Sequence, residues 1–479
     1  MLWACVLLPH LALDGVLRRR PSCDAPLALV SGSAQARTLF AVNTPARAAG
    51  LYRGQRLSAA QALLSQFETV EYDPAATEHW HRLLAAWAYR YSSDVVLFPH
   101  AIVLEVSKSL GLFGPWPRFE AQLREDLTAL GFRHRIALAP GAQAAYVLAG
   151  IHDGLAVMTP DALQRALAPI ALRYARLPAD AGTALPAMGI RNLGQLLRLP
   201  RDGLQCRFGA PLLAYLDRLS GAAPELMEAY RPPDTFDLRM EWTHEIEHVE
   251  ALMFPLRRLI GDLATYLAGR DGGVQRFVLE LEHRSASPTR VVVGLLAAER
   301  EAALLFECTR GRLDRQQLPQ PVVAMRVIAR ELPPFVPAGR DLFDTRPAHA
   351  MPLDQLRERL RARLGERAIQ HLRRTIDPRP EYAQTTTDNT HLPEASEASL
   401  HSQATAIIPR PTWLLDRPIP LHGPSPTILA GPERLETGWW DGGDLRRDYY
   451  VVRTSQGQCA WVFCPPGEPG RWMLHGWFA

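Results

Sequence analysis

The chain opens on an apolar strand that ends abruptly. Leu2–Leu8 reads as a buried strand, Pro9-His10 stops it, and an apolar helix entry with the run Arg18–Arg20 follows. A strand that opens an α/β fold and halts before a helix delivers chemistry at its C-terminal end. Here that end offers Leu8, Pro9 and His10, with no carboxylate. The pattern recurs where the strand Val95–Phe98 meets Pro99-His100, ahead of the strand Ile102–Val106.

Length and composition narrow the class. At 479 residues the chain predicts about three or four units. The net charge is only +3, yet Lys108 is the single lysine among 53 basic residues. Arginine's planar fork suits oxyanions, although codon usage in the source genome is the simpler cause of the bias. Cys5, Cys23, Cys206, Cys308, Cys459 and Cys464 form no C-x-x-C pair, which argues against a zinc site or a secreted disulfide framework. No apolar run approaches about 18 residues, so no membrane span is expected. No basic segment precedes the first strand, so a signal peptide is not expected either, and the cytoplasm is the default compartment.

Along the chain, two short strands (27–30 and 38–42) precede Asn43–Phe67. Asn43 or Thr44 caps a first turn there, Pro45 follows, and Gly50 and Gly54 interrupt the helix. The strand Glu68–Tyr72, helices near 78–91 and 119–130 and the strand Arg135–Ala139 predict a mixed sheet backed by helices. Ala162–Gly221 is helical. Its tight Leu185–Ile190 turn is either a plain helix hairpin or a place where backbone N–H groups face a phosphate. Beyond Arg231-Pro232-Pro233, a βαββαβ order runs to about residue 330. Arg270, Arg276, Arg284, Arg290, Arg310, Arg312 and Arg315 are scattered through it, and a shared face would make them a nucleic-acid footprint. Leu353–Arg374 reads as one charged helix with Leu353, Leu356, Leu360 and Leu364 on a stripe. Glu381–Ala406 reads as disordered. The tail reads as a small β unit dense in tryptophan: Trp439, Trp440, Trp461, Trp472 and Trp477.

Thr44–Gln55 resembles the fingers signature of Y-family translesion DNA polymerases, a string of the type E-A-R-x-x-G-V-x-x-G-M. The matching positions are Ala46, Arg47, Gly50, Leu51, Gly54 and Gln55. The resemblance runs in order over roughly residues 1–335. It implies an α/β (α+β) fold: palm-like 1–23 and 68–165, fingers-like 24–67, helical thumb 166–230 and little finger 236–335. A linker (336–352), a helix (353–380), a disordered stretch (381–411) and a β-rich partner-binding unit (412–479) complete the organisation. Polymerases of this family hold two Mg²⁺ ions on one Asp at the end of the first strand and an Asp-Glu pair in the second. Here those places fall on Pro9, His10, Pro99 and His100. No catalytic residue, metal or cofactor is therefore expected. Mg²⁺ enters only in the alternative of an active polymerase using relocated ligands, Asp14 and Glu105. A zinc site on His10 and His100 lacks a third ligand.

Pro432–Gly443, Arg447–Val451 and Leu474-His475-Gly476 resemble the tail of catalytically incomplete, polymerase-like proteins of bacterial mutagenesis cassettes. That resemblance implies a scaffold in SOS-induced translesion synthesis. Its implied partners are the β sliding clamp, an ImuA-type RecA-like protein, an error-prone replicative-type polymerase α subunit and primer-template DNA. A clamp-binding peptide of Q-x-x-L-F type is matched, without its glutamine, by Asp341, Leu342 and Phe343; Gln316-Gln317-Leu318-Pro319 ranks second. Candidate DNA contacts are Arg47, Gly189, Arg191, Arg276 and Arg290. Candidate partner contacts are Trp439, Trp440, Tyr449 and Tyr450.

Overall fold

The opening strand, β1 (Trp3–Leu7), is the middle of a sheet, paired on both sides and buried from Ala4 onward. The structure is a computed structural model that describes all residues except 21, 34, 224–226, 337–352, 366–367, 376 and 388–409. It divides into two compact units, residues 1–363 and 364–479.

In the first unit, β1 leads into α1 (Leu11–Leu17), then β2 (Leu27–Ser31), β3 (Thr38–Val42), α2 (Thr44–Ala48), α3 (Leu57–Leu63) and β4 (Glu68–Glu71). Next come α4 (Pro74–Ala88), β5 (Val95–Phe98), β6 (Ala101–Glu105), α5 (Leu110–Phe113), α6 (Trp116–Ala129), β7 (Arg135–Ala139), α7 (Ala142–Ala149) and β8 (Leu155–Ala156). The main sheet has the order β5-β6-β1-β7-β8, and α4 and α7 cover it with buried apolar residues. β2, β3 and β4 form a separate small sheet. Glu68–Glu71, expected in the palm-like sheet, instead pairs in parallel with β2. The chain enters α4 only after this pairing, at the Asp73 cap, whose carboxylate accepts the Ala75 N–H.

The fingers-like segment is built as its sequence suggests. Asn43 caps α2, its side-chain oxygen accepting the Ala46 and Leu27 N–H groups. Gly50 and Gly54 take φ of +90° and +86°, which side chains with a Cβ resist. Ala46 and Leu51 are buried, which leaves Arg47 as the exposed member of the signature's Ala-Arg pair.

A helical segment follows: α8 (Pro160–Leu167), α9 (Ala179–Ala187), α10 (Leu193–Leu197) and α11 (Arg201–Ser220), which is kinked at Gly209. Then β9 (Phe236–Ile246), α12 (Met253–Gly269), β10 (Val274–His283), β11 (Thr289–Glu299), α13 (Ala302–Leu313) and β12 (Val322–Ala329) make an antiparallel sheet of order β11-β10-β12-β9. One apolar cluster runs from β1 and α4 to α12 and this second sheet. Arg18 and Asp262 bridge the same junction as a buried bidentate ion pair, at 2.6 and 2.9 Å. The unit ends in α14 (Leu353–Leu364).

The expected helix to Arg374 is corrected here. Gly365 takes φ of +105°, the left-handed conformation that ends helices, and α14 stops at Leu364. In the second unit, β13 (His371–Arg374) and β14 (Gln384–Thr387) form a hairpin. The expected disorder from residue 381 is therefore corrected through Thr387, and residues 388–409 lie outside the described residues. β15 (Trp413–Pro420), β16 (Thr427–Thr437), β17 (Leu445–Arg453), β18 (Cys459–Cys464) and β19 (Met473–Trp477) form a sheet of order β15-β19-β18-β17-β16. Both of its faces carry apolar clusters, one around Val452, Val462 and Leu474, the other around Tyr449, Val451 and Trp461.

Candidate functional site

Strand register brings the two Pro-His ends together. β1 and β6 are antiparallel with Leu7 opposite Ala101, so the end of β1 abuts the β5–β6 turn. The Leu8 N–H donates to the His100 carbonyl at 2.8 Å. His100 sits in that turn at φ of +54°. Two neighbours fix the turn: Tyr146 donates its hydroxyl to the Pro99 carbonyl at 2.8 Å, and His81 Nε2 lies 2.9 Å from the Ala101 carbonyl. Arg176 donates to the Tyr146 hydroxyl and lies over its ring.

The third strand at this edge supplies cations. β7 also pairs with β1, with Arg135 opposite Leu7. The Phe132–His134 segment therefore reaches the same rim. Arg133 engages Asp14 three ways: its backbone N–H donates at 2.9 Å, Nε donates at 2.8 Å, and Nη2 completes the ion pair at 2.6 Å. Burial pushes the Asp14 carboxyl above its ordinary range, and the Arg133 contacts oppose that rise. His10 is held below its usual value by burial first and by Arg133 next; Asp14 opposes, while Arg47 and Arg135 add to the depression. A neutral imidazole thus stands at the strand end, with Arg133, Arg47 and Arg135 near enough to disfavour its protonation.

Glu105 lies elsewhere. It pairs with Trp3 at the far end of β6, roughly 13 Å along the strand from Ala101 at ~3.3 Å per residue. Its carboxylate accepts the Ser107 N–H at 3.1 Å and, at 3.4 Å, the Leu2 N–H. Asp14 and Glu105 therefore do not converge, and the relocated-ligand arrangement is not formed. Mg²⁺ needs several hard oxygen ligands. Proline, neutral imidazole and an arginine-bound carboxylate do not fit that ion. Among the described residues no cluster of three or more His, Cys, Asp or Glu side chains is placed to hold a metal.

The candidate DNA contacts separate. Arg47 is exposed and close enough to His10 to depress its pKa. Gly189, at φ of +82°, makes the turn between α9 and α10, and Arg191 is exposed beside it. Six amides at and after that turn are already used. Gly189 donates to Pro186, Ile190 to Leu185, Leu193 to Ile170 and Gly194 to Ala168, while Arg191 donates to the Gln195 side chain and Gln195 to that of Asn192. Of the two readings of this turn, the hydrogen bonds favour the plain hairpin, with the Arg191 side chain exposed beside it.

The open face of the second sheet is a mixed-charge ladder rather than a basic stripe. Arg290 pairs with Glu280 at 2.8 Å, Arg239 with Glu282 at 2.8 Å and Arg326 with Asp237 at 2.6 Å. Arg276 stands exposed on the same face of β10, next to these pairs. Arg312 is buried and donates to the Gly294 carbonyl, so it is not a surface contact.

In the second unit Trp439 and Trp440 are 78% and 54% exposed on the turn between β16 and β17. Arg379 anchors that turn through Asp441, at 2.6 and 3.2 Å, and lies over the Trp440 ring. Tyr449, expected at a partner surface, is instead a core residue. It is 1% exposed, stacks on Trp461 at 4.0 Å and contacts His475 Nδ1 through its hydroxyl at 2.9 Å. Tyr450 points to the opposite face, as strand alternation requires, and meets Trp472 edge-on. Asp341, Leu342 and Phe343 lie outside the described residues.

Sequence reasoning missed Arg133 and Arg135. The signal was the basic triplet Arg133-His134-Arg135 directly ahead of a strand, but only β1–β7 pairing shows which site it faces.

Residues 14–149 match the family model described as impB/mucB/samB family. Two curated relatives, each a Protein ImuB from a strain of Caulobacter vibrioides, are 28% identical to the chain over 456 residues. The match covers 90% of this chain and 100% of theirs. Among solved structures, an insertion ternary complex of Dbh DNA polymerase aligns with a TM-score of 0.41 at 14% identity, covering 69% of this chain and 99% of its own. DinB from Sulfolobus solfataricus aligns at 0.40 and 15%, covering 70% and 100%. Over 90% of its length the chain is thus similar to Protein ImuB, and residues 14–149 match the impB/mucB/samB family model.

Proposed function

We propose that the chain is a non-catalytic, polymerase-like scaffold in SOS-induced mutagenic translesion DNA synthesis, acting in the cytoplasm without a metal cofactor. In this reading it holds primer-template DNA and joins the β sliding clamp, an ImuA-type protein and an error-prone polymerase α subunit. Leu342 and Phe343 are the expected clamp anchors, and Trp439 and Trp440 the expected protein contacts. One observation carries the reading: the adjoining strand ends at Pro9-His10 and Pro99-His100 offer neutral and cationic groups where phosphoryl transfer needs metal-binding carboxylates. Arg133 occupies Asp14, and Glu105 faces the other end of the sheet.

Primer extension tests it. The purified full chain, given primer-template, all four deoxynucleoside triphosphates and Mg²⁺ or Mn²⁺, is expected to extend nothing above background while still shifting the DNA in a gel. Extension that disappears on Asp14→Ala or Glu105→Ala would establish an active polymerase with relocated ligands and overturn the scaffold reading.

A further inference from the structure

Helix α14 is amphipathic, and it is mounted with its polar side inward. Leu353, Leu356 and Leu360 are 68%, 43% and 37% exposed. The side that packs on the second sheet carries Glu358 and Ala362, at 4% and 1%. Glu358 accepts the Leu296 N–H at 2.8 Å, and Ala362 lies against Gly311, where a Cβ would meet its carbonyl at 3.0 Å. Arg359 adds an ion pair to Glu307 at 2.7 Å. A surface helix normally buries its apolar stripe and exposes its charges. Here the charges hold the helix in place, and a three-leucine stripe at spacings of three and four faces outward.

The rim of that stripe is basic on both sides. At about 100° per residue, Glu358 and Ala362 fall opposite the leucines. Arg357 and Arg361 fall on one flank, Arg359 and Arg363 on the other; with Arg359 engaged by Glu307, Arg361 and Arg363 are the rim cations on which the proposal rests. A second copy of the same helix would set arginine against arginine. A helix with leucines on its seam and carboxylates on both flanks matches the stripe and the rim together.

We propose that α14 is a docking helix for an amphipathic, acid-flanked helix of a partner protein. The docking leucines are Leu353, Leu356 and Leu360, and the flanking arginines set the partner's charge. The proposal adds a surface that the scaffold reading does not require, so its failure would leave that reading standing.

The test uses the full chain and three fluorescent 21-residue synthetic helices. The first has leucine at the seam with glutamate flanks, the second leucine at the seam with lysine flanks, and the third is a scramble of the first. Anisotropy titration is expected to show the glutamate-flanked helix binding at least tenfold tighter than the other two. Leu356→Glu with Leu360→Glu should reduce that binding at least tenfold, with the thermal midpoint unchanged because both side chains are exposed. Arg361→Glu with Arg363→Glu should shift the preference toward the lysine-flanked helix. Equal binding of the glutamate and lysine helices, or binding unchanged by the leucine substitutions, would overturn the proposal. So would a fall of several degrees in the midpoint of the leucine variant, which would mean that the chain covers its own stripe. Self-association of the wild type that the leucine variant loses would assign the stripe to a second copy and also overturn it.

Discussion

At the scale of single residues, position in the sheet explains what side chains do here better than residue type does. His10 and His475 are both kept neutral, by burial first, in different company. His10 stands among arginines at a strand end. His475 is fully buried in the second unit, with Tyr449 on Nδ1 and Glu381 Oε1 3.6 Å from Nε2. Burial pushes its pKa down to about 4, although Glu381 pulls the other way. The unfolded imidazole takes up its proton near pH 6.5 and the folded one not until about pH 4. Acid therefore favours the unfolded form: stability conferred by the neutral histidine is present above about pH 6.5 and is lost as pH falls toward 4. The loss is at most ~1.4 kcal/mol per pH unit for one proton. Denaturant unfolding followed by tryptophan emission between pH 7 and 4 should show this fall in the wild type and a flatter profile in His475→Gln. Identical profiles would remove His475 as the cause. Sequence alone marked His475 only as part of a tail resemblance. Its burial depends on Glu381 and Tyr449, which reach it from 94 and 26 residues away.

At the scale of elements, the longer strands of the first unit were legible, while those of 371–387 and the polarity of surfaces were not. Pro-His at two strand ends, the Asn43 cap and the glycine turns all follow from local rules and are found where those rules put them. The leucine stripe of α14 also lies where periodicity puts it, but periodicity cannot say which side of a helix packs. Likewise Tyr449 and Tyr450 look equivalent in sequence, yet alternation sends one into the core and the other to the opposite face. The turn bearing Trp439 and Trp440 is the clearest candidate contact element in the second unit, because Arg379 holds it while the rings stay exposed. Large aromatic side chains on a fixed turn are typical binding hot spots. Trp439→Ala with Trp440→Ala should leave the unfolding midpoint within about 2 °C of wild type, since little apolar area is lost from the core. It should also weaken capture of the ImuA-type protein or of the polymerase α subunit by tenfold or more. Undiminished capture of both would move the contact away from this turn.

At the scale of the whole molecule, the charge distribution differs from that of a chain built to grip DNA along one basic face. The arginines of the second sheet are largely spent on Glu280, Glu282 and Asp237, and most amides of the α9–α10 turn are already bonded within the chain. The outward cations that remain among the sequence candidates are Arg47, Arg191 and Arg276. Each phosphate neutralised on duplex DNA releases counterions and adds about −0.9 to the slope of log K against log salt. Contact through these three arginines predicts a slope near −3, against about −6 or steeper for a continuous basic stripe. An arginine that must first leave its carboxylate gives up one ion pair to gain another, which weakens its net pull on phosphate. Titration of a fluorescent primer-template at 50 to 200 mM salt should therefore give a shallow slope. Arg47→Ala, Arg191→Ala and Arg276→Ala should each reduce its magnitude by about 1, and Arg290→Ala by less. A steep slope that these substitutions leave unchanged, and that Arg290→Ala or Arg326→Ala relaxes, would mean that the charge ladder of the second sheet opens on DNA and carries the contact itself.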